Sequence, residues 1–261
     1  MRDFTLQTYK KFLTTFRDGG YLFYTFAAWC KDRPSGKILI LRHDIDKKPE
    51  NALKIALLES ELGVKSTYYF LAKSSVFKSE IIKKIADLGH EIAYHYRDLV
   101  DAKGDESLAI VLFKNNLDKL RSIAPIETIA MDGCPWSKYD NRNLWKKYDY
   151  RDLGLIGEPY FDFLNGESGR EVLYFTDTAR MWDGGKYNVR DNRLNDSAYK
   201  QPSVHTTFDL IEWIKTSGNQ KPIMITTHPQ RWTDNKSEWL KELVLQLAKN
   251  RIKRISKNFF F

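Results

Sequence analysis

The run Ile38-Leu39-Ile40-Leu41, apolar at every position and followed at once by Arg42-His43-Asp44-Ile45-Asp46, constrains this chain more than any other feature. Consecutive apolar residues without alternation describe a strand buried on both faces, as in a parallel sheet covered by helices. Pro49 then opens a helix through Glu61, with Leu53, Ala56, Leu57 and Leu62 on one face and Gly63 at its end. The same βα unit recurs. Strands are expected at Ser66–Leu71, His90–His95, Thr128–Met131 and Pro222–Thr226, with helices near Ser79–Leu88, Ser107–Ile123, Phe208–Lys215 and Lys236–Lys253. Thr5–Phe16 places Leu6, Tyr9, Leu13 and Phe16 at helical spacing, for a packing role. Between Asn143 and Arg193 the pattern is poorer, with short strands expected near Leu155 and at Val172–Phe175. Alternating strands and helices imply α/β architecture around one parallel sheet, open or closed as a barrel.

Composition limits the rest. No run of about 18 apolar residues spans a bilayer, and the opening residues have no apolar stretch before a cleavage site, so a cytoplasmic protein is expected. Cys30 and Cys134 have neither metal-motif spacing nor the density of a disulfide scaffold, and are read as reduced thiols. The net charge is +8, but the segment from Lys249 onward holds five basic residues and no acid, which leaves +3 for the remainder. That distribution argues against nucleic acid as a partner and is compatible with an acidic sugar conjugate.

In parallel α/β folds the active site forms where loops converge at the carboxyl ends of the strands. Four such ends here carry Asp44 and Asp46, His95, Asp132, and His228. Each has a plainer reading: the aspartates as caps of the next helix, His95 as a core histidine, His228 as a loop residue. Together they suit a divalent metal with an activated water, a hydrolytic site. His90, at the other end of its strand, is read as structural.

Leu41-Arg42-His43-Asp44-Ile45-Asp46, Gly89-His90-Glu91-Ile92-Ala93-Tyr94-His95 and Thr227-His228-Pro229 resemble the first, second and last motifs of the polysaccharide deacetylase superfamily, carbohydrate esterase family 4 with the NodB-homology fold. Gly63–Phe70, Ser137–Arg142 and Thr176–Arg180 look most like its members from surface-polysaccharide and O-antigen biosynthesis. The resemblance runs from about residue 38 to 232 of a single domain, flanked by an N-terminal helical segment and a basic C-terminal helix. It implies a distorted (β/α) barrel of seven parallel strands and removal of an N-acetyl group from an amino sugar. Asp44 then matches the catalytic base, Asp46 and His95 the metal ligands, and His228 the general acid. The implied cofactor is a divalent metal, zinc foremost, with manganese, cobalt or magnesium as alternatives. One position departs: where a further histidine is expected four residues after His95, the chain has Leu99. A third ligand must then come from Asp44, His43, Asp98 or Asp132, with a carboxylate such as Asp44 or Asp98 favoured, giving an oxygen-rich, weakly held metal. The glycine that follows the first aspartates in the family is also replaced by Lys47-Lys48-Pro49.

Two functions follow from different classes. One is a deacetylase of surface-glycan synthesis, its N-acetylated sugar linked to a nucleotide, lipid or polymer. Trp136, Tyr139, Trp182 and Tyr187 are expected to stack on sugar rings, Arg142, Arg180 and Arg190 to hold a phosphate or carboxylate, and Asp177 to join them in substrate binding. The other is a metal-free relative that binds a glycan or partner protein in the same pocket, for which Leu99 speaks. The helix face Trp239, Leu240, Leu243, Val244 and Leu247 is expected to pack on the barrel, and the basic tail ending in Phe259-Phe260-Phe261 to pack on the domain or a partner subunit, with peripheral contact with an anionic membrane as the less favoured alternative.

Overall fold

The structure, a computed structural model, describes residues 2–164, 172–183 and 202–260, with 253–260 described by backbone alone. Tyr187, Arg190 and the side chains of Phe259, Phe260 and Phe261 lie outside the described residues. In chain order the elements are α1 (Leu6–Asp18), β1 (Leu22–Tyr24), α2 (Phe26–Asp32), β2 (Ile38–Ile45), α3 (Pro49–Glu61), β3 (Thr67–Phe70), α4 (Ser79–Asp87), β4 (Glu91–Tyr96), α5 (Asp98–Asp101) and α6 (Glu106–Arg121). There follow β5 (Ile129–Met131), α7 (Pro159–Asp162), β6 (Leu173–Thr176), α8 (Thr207–Thr216), β7 (Ile223–Thr227) and α9 (Lys236–Phe260). Thr5 caps α1 by accepting from the Thr8 amide, and Thr206 and Asp209 close a reciprocal capping box on α8.

The strands form one seven-stranded sheet in the order β5-β4-β3-β2-β7-β6, with β1 beside the start of β2 and every pairing parallel. This is a distorted (β/α) half-barrel wrapped by helices. All eight residues of β2 are buried. Its register pairs His43 with Thr227 on one side and Asp44 with Tyr69 on the other. Asp44 is therefore level with His228, one step past Thr227, and all the polar strand ends open at the same mouth.

Because side chains alternate along a strand, Arg42 and Asp44 face one side of β2 and His43 the other. There His43 joins a fully buried polar hub around Glu59 of α3. Glu59 accepts from the Tyr9 hydroxyl at 2.5 Å, the Ser66 and Tyr68 hydroxyls at 2.7 Å each, and His43 Nε2 at 2.9 Å. His43 Nδ1 lies 2.6 Å from Thr227 Oγ1. The hub thus links α1, α3, β2, β3 and β7. Burial alone would raise the Glu59 carboxyl, but the His43 ring, His90 and the Tyr9 hydroxyl outweigh it and hold it down at about 2. His90 is structural: its Nε2 lies 3.0 Å from the Ala56 carbonyl, and its Nδ1 accepts from the Ser66 amide.

Three expectations are corrected. The segment near Leu155 forms a single bridge, Gly157 to Thr128, because the chain turns into α7 directly afterwards. The stretch between Gly20 and Ile38, which shows no periodic pattern, forms strand β1 and helix α2, three and seven residues long and too short for such a pattern. The face of α9 that packs inward is not the leucine face. Trp239 and Leu243 are half-buried and Gln246 and Asn250 are buried, while Leu240, Val244 and Leu247 are 55, 58 and 56 % exposed.

Removing the Glu59 carboxylate leaves His43 and three hydroxyls without an acceptor. Glu59→Ala is expected to cost about 3–5 kcal/mol of unfolding free energy, measured by urea denaturation. The depressed carboxyl also gives a pH signature. Its stabilisation is complete above the ordinary value of 4.5 and is lost as pH falls towards about 2, since the unfolded chain takes up the proton first. The acid limb of a stability-versus-pH curve in that window should therefore flatten in Glu59→Gln.

Candidate active site

Asp44 ends the mouth-facing row of β2 and is gripped by the residue two places before it. Arg42 Nε donates to Asp44 Oδ1 at 2.7 Å and Arg42 Nη2 to Oδ2 at 2.8 Å, a two-pronged pair buried on both partners. The guanidinium also lies over the rings of Tyr69 and Tyr160, 5.1 and 5.3 Å from their centroids. Asp46, just past the strand, is the more open carboxylate of the pair.

On β4, His95 is oriented by its neighbour strand. Its Nδ1 donates to the Ala130 carbonyl at 3.0 Å, so Nε2 is the atom turned to the mouth, 3.7 Å from Asp44 Oδ2 and 3.6 Å from Asp46 Oδ1. Burial would lower the His95 pKa, but Asp44, Asp46 and Asp132 together lift it to about 9. Asp46 shows the reciprocal effect. Burial works to raise it, and the His95 contact with the charges of His228, His95 and Arg231 holds it well below the carboxylate range.

His228 follows β7, with Nε2 3.9 Å from Asp46 Oδ2. Its Nδ1 donates to Asp177 Oδ1 at 2.6 Å, and its backbone amide donates to Asp177 Oδ2 at 3.0 Å. Asp177 is fully buried after β6 and also accepts from Arg231 Nη1 and, at 2.9 Å, from Trp232 Nε1. Burial would raise this carboxyl, but Arg231 and His228 bring it to about 2. Burial and Arg231 both work to lower the His228 pKa, yet Asp177 and Asp46 carry it above its ordinary value. The loop after Asp177 bends sharply, with Ala179 and Arg180 both left-handed at φ 65° and 59°.

Asp44, Asp46, His95 and His228 therefore meet at one mouth, linked by approaches under 4 Å. Residues assigned to substrate fare differently. Asp177 faces His228, Arg231 and Trp232 and so positions the histidine instead of meeting a ligand. Trp182 is core: it is 2 % exposed, stacks on Phe12 and donates to Thr207. Arg180 turns towards Phe4 and Trp239 and donates to the Arg231 carbonyl. Tyr139 lies against Gly104, where a Cβ would fall inside its ring. Arg142 is bound to Asp140 and lies over the ring of Tyr160, on which Arg42 also sits. Trp136 is 62 % exposed and free to meet a sugar.

The ligand set of the implied metal is short. Asp46 and His95 converge, but Asp98 is turned away, accepting from the Tyr94 hydroxyl, which lies within 2.9 Å of both its oxygens, and from Asn116, and burial pushes it up to about 6. His43 spends both nitrogens in the Glu59 hub, Asp132 accepts from Arg97 and the Cys134 amide, and Asp44 is held on both oxygens by Arg42, with Oδ2 still 3.7 Å from His95 Nε2 at the mouth. Leu99 lies on α5 in the hydrophobic core, 4 % exposed. Among the described residues no group of three or more His, Cys, Asp or Glu is placed to hold a metal ion. The residues present do not fit a three-donor centre, and the third carboxylate expected from Asp44 or Asp98 is not supplied.

Sequence reasoning missed Arg42, which an arginine two places before an aspartate on one strand face signals, and Gln230, whose Nε2 reaches Asp46 Oδ2 at 3.5 Å. The role of Asp177 had no local signal, because its partners lie 51 to 55 residues away.

Loss of the Asp177 charge should free the His228 proton. In folded Asp177→Asn, an NMR titration of the His228 ring is expected to show its pKa falling from the raised value, and an unchanged titration would show that Asp177 does not govern it.

No protein-family model matches the chain, and no curated protein matches it. Solved structures do. A family 4 (CE4) esterase from Streptococcus mutans is similar at 12 % identity and a TM-score of 0.47, over 94 % of this chain and 92 % of that one. A family 4 carbohydrate esterase from Bacillus anthracis is similar at 12 % identity and 0.39, over 92 and 85 %. A CE4 family pseudoenzyme from the same organism is similar at 12 % identity and 0.44, over 83 % of this chain and 62 % of its own length. Likeness this distant carries no argument about activity, which rests on the residues above.

Proposed function

We propose that the chain is a polysaccharide-deacetylase relative that hydrolyses the N-acetyl amide of an amino sugar in cytoplasmic steps of surface-glycan assembly, O-antigen or capsule, the sugar being carried on a nucleotide, lipid or polymer. The observation that carries this reading is the Asp177–His228 pair. A buried carboxylate fixes the Nδ1 proton of a histidine whose Nε2 opens on the mouth beside Asp46, level with an Arg42-held Asp44. Such an arrangement suits proton delivery to a leaving amine. In the reaction, water adds to the acetyl carbonyl carbon while Asp44 accepts its proton. As the carbon–nitrogen bond breaks, His228 gives its Nε2 proton to the amine nitrogen, leaving acetate and a free amino sugar. Arg42 fixes the plane of the Asp44 carboxylate, and Asp177 holds the His228 ring and stabilises its charged form. No step is routed through a metal, for which Asp46 and His95 alone are too few donors; any zinc or other divalent ion held there should be weak and readily lost.

The short donor set favours a second reading, a non-catalytic relative that binds a glycan in the same mouth. The same assay separates the two. Acetate release from N-acetylglucosamine oligomers and their nucleotide and lipid conjugates is expected for the wild type. His228→Ala and Asp44→Asn should each reduce it by roughly 10²–10⁴-fold. If the wild type releases no acetate from any of them yet binds one by calorimetry, the non-catalytic reading stands instead.

A further inference from the structure

Helix α9 is built the wrong way round for a helix that only packs on its own domain. Its inner face meets the loops after β6 and β7 that carry Asp177 and His228 with the half-buried Trp239 and Leu243 and, further along, with polar groups: Gln246 Nε2 donates to Asn250 Oδ1 at 2.8 Å, and Asn250 Nδ2 donates to the Ala179 carbonyl at 3.2 Å. Its outer face is apolar. Leu240, Val244 and Leu247 follow at i, i+4, i+7, and Leu245 and Ile252 lie roughly 100° further round the helix, all 54–58 % exposed. A row of large aliphatic side chains on one side of a helix, open to solvent, marks an interaction surface. No helix among the described residues is long and apolar enough to cross a membrane, so α9 can lie on one but not span it.

Charge identifies the partner. Residues 236–248 hold two lysines and two glutamates and are neutral, whereas Lys249, Arg251, Lys253, Arg254 and Lys257 follow with no acid up to Phe261. A second copy of the helix would bring no compensating block: laid parallel it sets five cations against five, and laid antiparallel it sets them against a neutral half. We infer that the outer face of α9 rests on an anionic lipid surface, its aliphatic row entering the headgroup boundary and the basic composition of the segment from Lys249 drawing it to lipid phosphates. The helix also passes beside the mouth. It packs on the turns that follow β6 and β7, next to Asp177 and His228. A chain seated in this way holds the Asp46 side of its mouth close to the bilayer, where a substrate on a lipid carrier would be found.

The test uses the full-length chain and needs no catalytic activity, so its failure is separate from failure of the hydrolase reading. Sedimentation with vesicles of phosphatidylglycerol and phosphatidylcholine should pull the chain down, and pure phosphatidylcholine vesicles or about 0.5 M salt should not. Val244→Gln/Leu247→Gln, two exposed positions, should bind anionic vesicles about tenfold or more weaker while keeping the wild-type circular dichroism. Absence of wild-type binding, or binding undiminished in the double variant, overturns the inference. So does a wild-type dimer in sedimentation velocity that the double variant converts to monomer, since the face would then belong to a second copy.

Discussion

Strand β2 has no free face, and most of the molecule follows from that. It is hydrogen-bonded along both edges, to β3 and β7 with β1 beside its start, and all of its side chains are buried. A strand in that position can carry Arg42, His43 and Asp44 only if each finds a partner, because an unpaired buried charge costs several kcal/mol. Alternation sorts the partners to opposite sides: Arg42 and Asp44 satisfy each other at the mouth, and His43 is satisfied by Glu59 and Thr227 behind the sheet. The hub therefore does structural work for the site. By bonding to Thr227 it pins β2 against β7 one residue before His228.

The same logic governs the mouth. Asp177 sits in a place where burial opposes its charge, and its four donors from His228, Arg231 and Trp232 more than offset that cost. Since these donors come from one loop, satisfying the carboxylate also fixes where the His228 ring can point. Asp46 is the exception: among the described residues it is reached by Gln230 at 3.5 Å and by the two imidazoles at 3.6 and 3.9 Å. It is the carboxylate with room for something that is not part of the chain. The buried Gln230 Oε1, without a hydrogen-bond partner among the described residues, lies on the same side.

Leu99 has a structural consequence beyond the loss of an imidazole. Four residues after His95 the chain has already turned into α5, and Leu99 is absorbed into the core with Phe113 and Tyr96. The neighbouring Asp98, itself buried, is held by Tyr94 and Asn116. Hydrophobic packing thus occupies the position four residues after His95, and the mouth keeps the buried Asp177–His228 pair while, among the described residues, no group of three donors is placed for a metal ion.

The fold was legible in the sequence because it rests on local signals. Unbroken apolar runs at Ile38–Leu41 and Ile223–Ile225, a proline at the first turn of α3 and glycines past helix ends are short-range features, and they located every long element. The placement of Asp44, Asp46, His95 and His228 at strand ends was legible for the same reason, since parallel strands that share a register must end at one mouth. What lies across the chain was not. Asp177 as the partner of His228, Trp182 as core and Gln246 as the inward face of α9 each depend on which loops the sheet order brings together. A sequence states that a residue is polar or aromatic; whether it meets solvent, substrate or a buried counter-charge is decided only when residues some fifty or more positions apart become neighbours.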